Sequence, residues 1–72
     1  MIAIVLKTST FKRVTTRLRY ANSLSVFSSL PARVFNDYGY TYLYFQSISD
    51  LCFATDFLSA YNAVYRVCET SL

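Results

Sequence analysis

The sequence lacks histidine and tryptophan, and it contains only one glycine and one proline among 72 residues. Without histidine, the side chain that most often acts as a general base near neutral pH is missing. A single glycine excludes the glycine-rich loops that cradle phosphate groups. Only four acids occur, and two of them, Asp50 and Asp56, do not share a helical face. We therefore expect a protein that is not an enzyme and that holds no cofactor.

Cysteine is also scarce. Cys52 and Cys68 are the two that occur, and with no histidine beside them they form no zinc-binding signature. We expect no metal site and two buried thiols that pack as small hydrophobic side chains. A disulfide or a redox role is the alternative.

Long hydrophobic runs are absent as well. The longest, Met1–Leu6, is far shorter than the roughly 20 apolar residues that span a bilayer, and no charged leader precedes it. We expect a cytoplasmic protein with no membrane association. Since 54% of the residues are hydrophobic and 18% aromatic, residues 1–72 are expected to form one compact domain.

Charge is distributed unevenly along the chain. Residues 1–36 contain six basic side chains and no acid, whereas residues 37–72 contain one arginine and four acids, so the halves carry +6 and −3. The basic residues of the first half are Lys7, Lys12, Arg13, Arg17, Arg19 and Arg33. Such a half either meets phosphate or an acidic protein surface, or is only a solvated helix face.

The clearest pattern lies in the stretch Gly39–Phe45, which reads Gly-Tyr-Thr-Tyr-Leu-Tyr-Phe. Because side chains alternate across a strand, two sets face opposite ways: Thr41, Leu43 and Phe45 against Tyr40, Tyr42 and Tyr44. The first set suits a core beneath helices. The second set, the tyrosine row, must be covered or offered to a partner.

The first half of the chain predicts a strand followed by a helix. Met1–Leu6 is apolar and β-branched, as in a central strand. Helix N-cap candidates follow at residues 8–10. The helix after them has one apolar stripe, formed by Phe11, Val14, Leu18 and Ala21, and is expected to end near residues 22–23. Residues 24–31 continue the helix with a bend or begin a strand, and Pro31 favours an extended Leu30.

The second half predicts a hairpin, a helix and a possible last strand. Residues 32–35 pair with the tyrosine strand through a turn at residues 36–39. Residues 47–50 offer an N-cap, with Ser49 or Asp50 the best candidates. The helix that follows has two apolar stripes: Leu51, Ala54, Leu58 and Tyr61 beside Phe53, Phe57, Ala60 and Val64. Residues 63–68 favour a strand over continued helix. The order β-α-β-β-α with a possible closing β predicts an α+β fold, a two-layer ferredoxin-like sandwich.

The stretch Tyr38–Phe45 resembles the third-strand signature of RNA recognition motifs, and residues 50–58 resemble that family's second helix. The resemblance implies a ferredoxin-like fold that binds single-stranded RNA, with Tyr40 and Tyr42 as the base-stacking aromatics. The sequence departs from the signature in three places. Tyr38 replaces a basic residue, Thr41 replaces a small one, and residues 2–6 contain no aromatic side chain.

Three hypotheses for function follow. The chain is short and rich in aromatic residues, and in this general character it is similar to phage anti-defence inhibitors, including anti-CRISPR proteins. Our first hypothesis is therefore a non-catalytic inhibitor that sterically blocks a larger nucleic-acid-handling complex. The second is a single-stranded RNA-binding module, and the third is a homodimer whose sheets bury the tyrosine row. The candidate binding residues are Tyr40, Tyr42, Tyr44, Lys12, Arg13, Arg17, Arg19 and Arg33. Cover by the chain's own C-terminal segment is the structural alternative for the tyrosines.

Overall fold

The computed structural model describes residues 1–69, which form four β-strands and three α-helices in an α+β arrangement. In chain order these are β1 (Ile2–Lys7), α1 (Thr8–Tyr20), α2 (Leu24–Ser29), β2 (Arg33–Asp37), β3 (Tyr40–Phe45), α3 (Ile48–Ala60) and β4 (Arg66–Glu69). The predicted α+β class is confirmed. The segment whose structure the sequence left open, residues 24–31, contains the short helix α2, and the closing strand forms as β4.

Within residues 1–69 the strands form one antiparallel sheet in the order β2-β3-β1-β4. The interior strand β1 pairs with β3 from Ile2–Phe45 to Lys7–Tyr40 and with β4 from Ile2–Glu69 to Val5–Arg66. The hairpin pairs Arg33 with Tyr44 and Asp37 with Tyr40. These registers decide which side chains share a face of the sheet.

One face of the sheet carries the hydrophobic core, and the helices pack against it. The largest buried side chains of this core are Ile4, Val14, Leu18, Phe27, Leu43, Phe45 and Leu58. The predicted stripe of α1 is confirmed through Leu18, but Ala21 lies beyond the helix end and is exposed. On β3 the predicted alternation is also confirmed, since Thr41, Leu43 and Phe45 are buried.

The hairpin turn is shorter than predicted. Asn36 and Asp37 belong to β2, and only Tyr38 and Gly39 form the turn. Both have positive φ angles, 48° and 80°, as the two central residues of a type I′ turn require. The register places Asn36 beside Thr41, where its Oδ1 accepts a 2.7 Å hydrogen bond from the threonine hydroxyl, so it acts as a strand residue.

The predicted cap of α1 was wrong, and the cap of α3 lies within the predicted residues 47–50 but is neither of the two preferred candidates. Helix α1 begins directly at Thr8, because the chain leaves β1 without a loop and the Thr8 amide donates to the Gly39 carbonyl at 2.9 Å. Helix α3 is capped by Ser47, whose hydroxyl accepts from the Asp50 amide at 3.4 Å. Ser49 and Asp50 lie in the first turn of α3, where the Asp50 carboxylate interacts favourably with the positive end of the helix dipole.

The residue before Pro31 does not adopt an extended conformation. Leu30 has φ −72° and ψ −48°, so it keeps helical geometry as the residue that ends α2. The expected extended conformation was wrong, since Leu30 is held at the edge of the core and its amide donates to the Phe27 carbonyl.

Helix α3 is less buried than its sequence suggests. Its first stripe, Leu51, Ala54, Leu58 and Tyr61, packs in or against the core. From the helical part of the second stripe only Phe57 does so, whereas Phe53 is 58% exposed. The described helices are all too short to cross a bilayer.

Candidate binding surface on the open sheet face

The face of the sheet opposite the helices is formed by alternate residues of each strand. We call it the open face, and strand registers assign to it Arg33, Phe35 and Asp37 of β2, Tyr40, Tyr42 and Tyr44 of β3, Ala3, Val5 and Lys7 of β1, and Arg66 and Cys68 of β4. The tyrosine row therefore lies on an inner strand. The C-terminal segment forms the edge strand β4, so the described part of that segment does not cover the row.

Three aromatic rings adjoin one another on the open face. The Tyr42 ring lies 6.5 Å from the Tyr44 ring with an interplanar angle of 16°, and 6.3 Å from the Phe35 ring at 54°. Phe35 is 48% exposed, and the two tyrosines are partly exposed. We call Phe35, Tyr42 and Tyr44 the aromatic cluster. Its rings offer flat apolar surface to the solvent side of β2 and β3.

The strand β1 contributes small apolar side chains beside this cluster. Ala3 lies between Tyr44 and Cys68 in the register and is fully buried, although it belongs to the open face. Val5 lies between Tyr42 and Arg66. The centre of the open face is therefore apolar, and neighbouring groups close over Ala3.

The open face is basic. It carries Lys7, Arg33 and Arg66 against one carboxylate, that of Asp37, among residues 1–69. Arg33 lies beside Tyr44, and Lys7 lies beside Tyr40, which is 44% exposed. Aromatic rings interleaved with cations are the combination that single-stranded nucleic acids require: bases stack on the rings, and phosphates meet the charges.

The other predicted basic residues lie on the opposite layer. Lys12, Arg13, Arg17 and Arg19 are all exposed on α1, which packs on the core face of the sheet. Arg13 donates from Nη1 to the Tyr61 carbonyl at 2.9 Å and so joins α1 to the end of α3. The structure thus divides the predicted binding residues into two surfaces: the tyrosine row with Arg33, and the basic surface of α1.

Sequence reasoning missed three residues of the open face. Phe35 was assigned to a strand but not to the site, and Lys7 was counted only as charge. Arg66 was counted as one charge of the acidic half. A two-residue turn pairs residue 37 with residue 40, and this register alone brings Phe35 beside Tyr42. Recognising the two-residue turn at Tyr38–Gly39 would have identified Phe35 as a residue of the site.

The cysteines were wrongly expected to be buried. Cys52 is exposed on α3, and Cys68 is partly exposed on the open face. Both are free thiols on different layers. In the described part of the chain, Cys, Asp and Glu side chains form no group of three that would hold a metal ion.

No protein-family model matches the chain, and the searches of curated proteins and of solved structures found no significant match.

Proposed function

We propose that the protein is a small binding module whose open face holds single-stranded nucleic acid. One observation carries this proposal: Phe35, Tyr42 and Tyr44 form a contiguous aromatic cluster on the open face, and Arg33 borders it beside Tyr44. We also infer that the fold is ferredoxin-like. The strand order β2-β3-β1-β4, with a helix after β1 and another after β3, supports this arrangement.

Stacking and phosphate contact would share the binding. Each base stacked on an aromatic side chain contributes about 1–3 kcal/mol, and this contribution depends little on sequence because every base has a flat face. Arg33 adjoins Tyr44 in the register and has a planar guanidinium suited to phosphate. The interaction should therefore weaken steeply with salt.

The aromatic residues of the open face are placed differently from those of RNA recognition motifs. The chain has no aromatic residue on β1, where the small side chains Ala3 and Val5 occupy the open face. Phe35 of β2 supplies a third ring on the other side of β3. We propose that the bases of a bound strand stack on the rings of β3 and β2, with no stacking residue on β1.

The test is a titration of fluorescently labelled single-stranded RNA and DNA, measured by anisotropy at low and at moderate salt. We expect Tyr42→Ala combined with Tyr44→Ala to weaken binding at least tenfold, since about 1.4 kcal/mol corresponds to a factor of ten. The Tyr→Phe versions keep the rings and should keep most of the affinity. Tyr20→Ala is the matched control, because Tyr20 is an exposed tyrosine on α1.

Two results would contradict the proposal. One is no binding of any strand even at low salt. The other is equal binding by the Tyr42→Ala/Tyr44→Ala variant and by Tyr20→Ala. The mass of the protein at the titration concentration is measured first, because a dimer with paired open faces would bury the same rings.

A second candidate function is a steric inhibitor of a nucleic-acid-handling complex, similar in character to anti-CRISPR proteins of phages. The specific observation that favours it is the second basic surface: Lys12, Arg17 and Arg19 are exposed on α1, away from the open face. A protein with a basic surface on each side fits between a complex's acidic surface and its exposed guide or target strand.

This candidate is tested by mixing the protein with assembled CRISPR ribonucleoproteins and measuring co-elution and target cleavage. We expect Arg17→Glu/Arg19→Glu to abolish inhibition while leaving binding to free strands nearly intact at moderate salt. Absence of co-elution with every complex tried would argue against inhibition. Inhibition lost only in the aromatic-cluster variants would assign it to the open face.

A further inference from the structure

A concavity of about 770 Å³ opens where β1 and β4 separate. Their pairing ends at Val5–Arg66, and no further pair joins the two strands among residues 1–69. Beyond that point Lys7 continues on one side, and the segment Val64–Tyr65 that precedes β4 forms the other. Tyr40 and Tyr42 border the concavity on β3. We call this space the β1–β4 pocket.

The pocket combines three kinds of lining. Val5, Val64 and Cys68 supply apolar surface. The rings of Tyr40, Tyr42 and Tyr65 supply flat aromatic surface, and the cations are Lys7 and Arg66. Its volume lies within the range of about 300–1,000 Å³ that is usual for small-ligand sites.

The two cations lie on the same face where the pairing of β1 and β4 ends, and neither is paired in register with an acid. Arg66 pairs with Val5, and Lys7 lies two residues further along β1 on the same face, which makes the two cations diagonal neighbours. No carboxylate lines the described pocket. The nearest acid in register on the open face is Asp37, across Tyr40 on β2, two strand spacings or roughly 10 Å from Lys7.

We infer that the β1–β4 pocket is a nucleotide site, in which a base stacks against Tyr40 or Tyr42 while Lys7 and Arg66 hold its phosphate. The inference deepens the proposed function and rests on it, because the nucleotide in the pocket is taken to be one unit of the bound strand. A free nucleoside monophosphate carries the same ring and phosphate, and the experiment separates the two sources.

The two cysteines provide a direct readout. Cys68 lines the pocket, whereas Cys52 is exposed on α3 on the other layer. The alkylation rate of each thiol by iodoacetamide is followed by mass spectrometry on the wild-type chain. The additions are uridine or adenosine monophosphate, inorganic phosphate, and a single-stranded oligonucleotide. We expect nucleotides to slow alkylation of Cys68 several-fold and to leave the rate at Cys52 unchanged.

Substitutions identify the phosphate contacts. We expect Lys7→Gln and Arg66→Gln each to weaken monophosphate binding about tenfold, the effect of losing a charge-assisted hydrogen bond. Lys12→Gln is the matched control, because Lys12 is an exposed cation on α1, in the other layer of the fold and outside the pocket. If a variant proves unstable, the protection of Cys68 in the wild-type chain decides the question alone.

The outcomes distinguish the pocket from the proposed function. Strand binding without protection of Cys68, or equal effects of Lys7→Gln and Lys12→Gln on monophosphate binding, overturns the pocket and leaves the open face as a strand-binding surface. Protection by monophosphates without strand binding supports the pocket and overturns the proposed function. Equal protection by inorganic phosphate overturns the assignment to nucleotides, and no protection by any addition overturns the pocket.

Discussion

Tyr38 is held in a conformation that its side chain does not favour. It is the first central residue of the hairpin turn, with φ at 48°, and its side chain is 95% exposed. A left-handed conformation costs an ordinary residue about 1–2 kcal/mol. Since the exposed ring contributes little packing in return, this position carries backbone strain.

Replacing Tyr38 with asparagine should therefore stabilise the protein. Tyr38→Asn creates an Asn-Gly turn, the pair best suited to two positive φ angles, and we expect up to about 1 kcal/mol of added stability. The measurement is the midpoint of urea unfolding. Tyr38→Ala is the control, because alanine also removes the ring but does not relieve the strain. A gain with alanine equal to that with asparagine would show that strain is not the cause.

Two hydrogen bonds account for the polar residue Thr41 at a core position of β3. It is fully buried, its hydroxyl donates to Asn36 Oδ1 at 2.7 Å, and its Oγ1 lies 3.0 Å from that of Thr8. Because the Thr41 hydrogen points to Asn36, the Thr8 hydroxyl donates to Thr41. The chain of bonds joins the hairpin to the start of α1.

Thr41→Val should destabilise the protein although it keeps the shape of the side chain. We expect a loss of about 1 kcal/mol in the free energy of unfolding, since two hydrogen bonds disappear and the freed groups of Thr8 and Asn36 reach water. The loss is measured by urea unfolding. Thr41→Ser is the control, because serine keeps the hydroxyl and removes only the methyl group. Equal or greater stability of the valine variant would contradict the role of these bonds.

At the scale of elements, local patterns predicted most of the fold. The alternation of β3 and the apolar stripe of α1 are properties of a few neighbouring residues, and both are confirmed by the structure. Residues 24–29 were undecided because a six-residue helix has little stability of its own. Their conformation depends on Phe27, whose ring lies 5.7 Å from that of Phe57 and 6.3 Å from that of Phe11, and sequence alone does not reveal such contacts.

For the candidate site too, local patterns predicted some residues, while others depended on how the strands pair. The tyrosine row was predictable from alternation, whereas Phe35 and the β1–β4 pocket depend on strand register and on where pairing stops. The cap of α1 was missed because the chain passes from β1 into the helix without a loop, so that Lys7 stands in the cap position. At α3 several Ser and Asp residues compete, and Ser47 is the one that caps the helix.

We expect Phe27→Ala to remove most of the stability of the domain. Truncating a buried phenylalanine costs about 3–5 kcal/mol, and small domains are stable by only about 5–15 kcal/mol. Urea unfolding followed by circular dichroism measures the loss. Val26→Ala, at an exposed position of the same helix, should cost far less. Similar losses for both variants would show that α2 does not depend on the buried ring.

At the scale of the whole molecule, the two basic surfaces lie on opposite layers. The shortest extent of the chain is 17 Å, about twice the Debye length of roughly 8 Å at physiological salt. Charges on α1 therefore act on a strand at the open face only through a field that salt screens.

Salt should separate the two surfaces. We expect Lys12→Gln/Arg17→Gln/Arg19→Gln to weaken strand binding in dilute buffer but to have almost no effect near physiological salt, about 0.15 M. Arg33→Gln should weaken it under both conditions. Anisotropy titrations at several salt concentrations make the comparison. A large effect of the α1 variant at the higher salt would mean that the strand contacts α1 directly.

The position of β1 has a consequence for the order in which the chain is assembled. This strand is synthesised before its partners, residues 40–45 and 66–69, so its contacts have high sequence separation and are slow to form. On the ribosome, β1 can join the hairpin once residue 45 has emerged. Its other edge then stays unpaired until residue 69 follows, and during that interval a nascent chain presents an apolar strand to its neighbours. Fast translation of residues 46–69 would shorten that exposure.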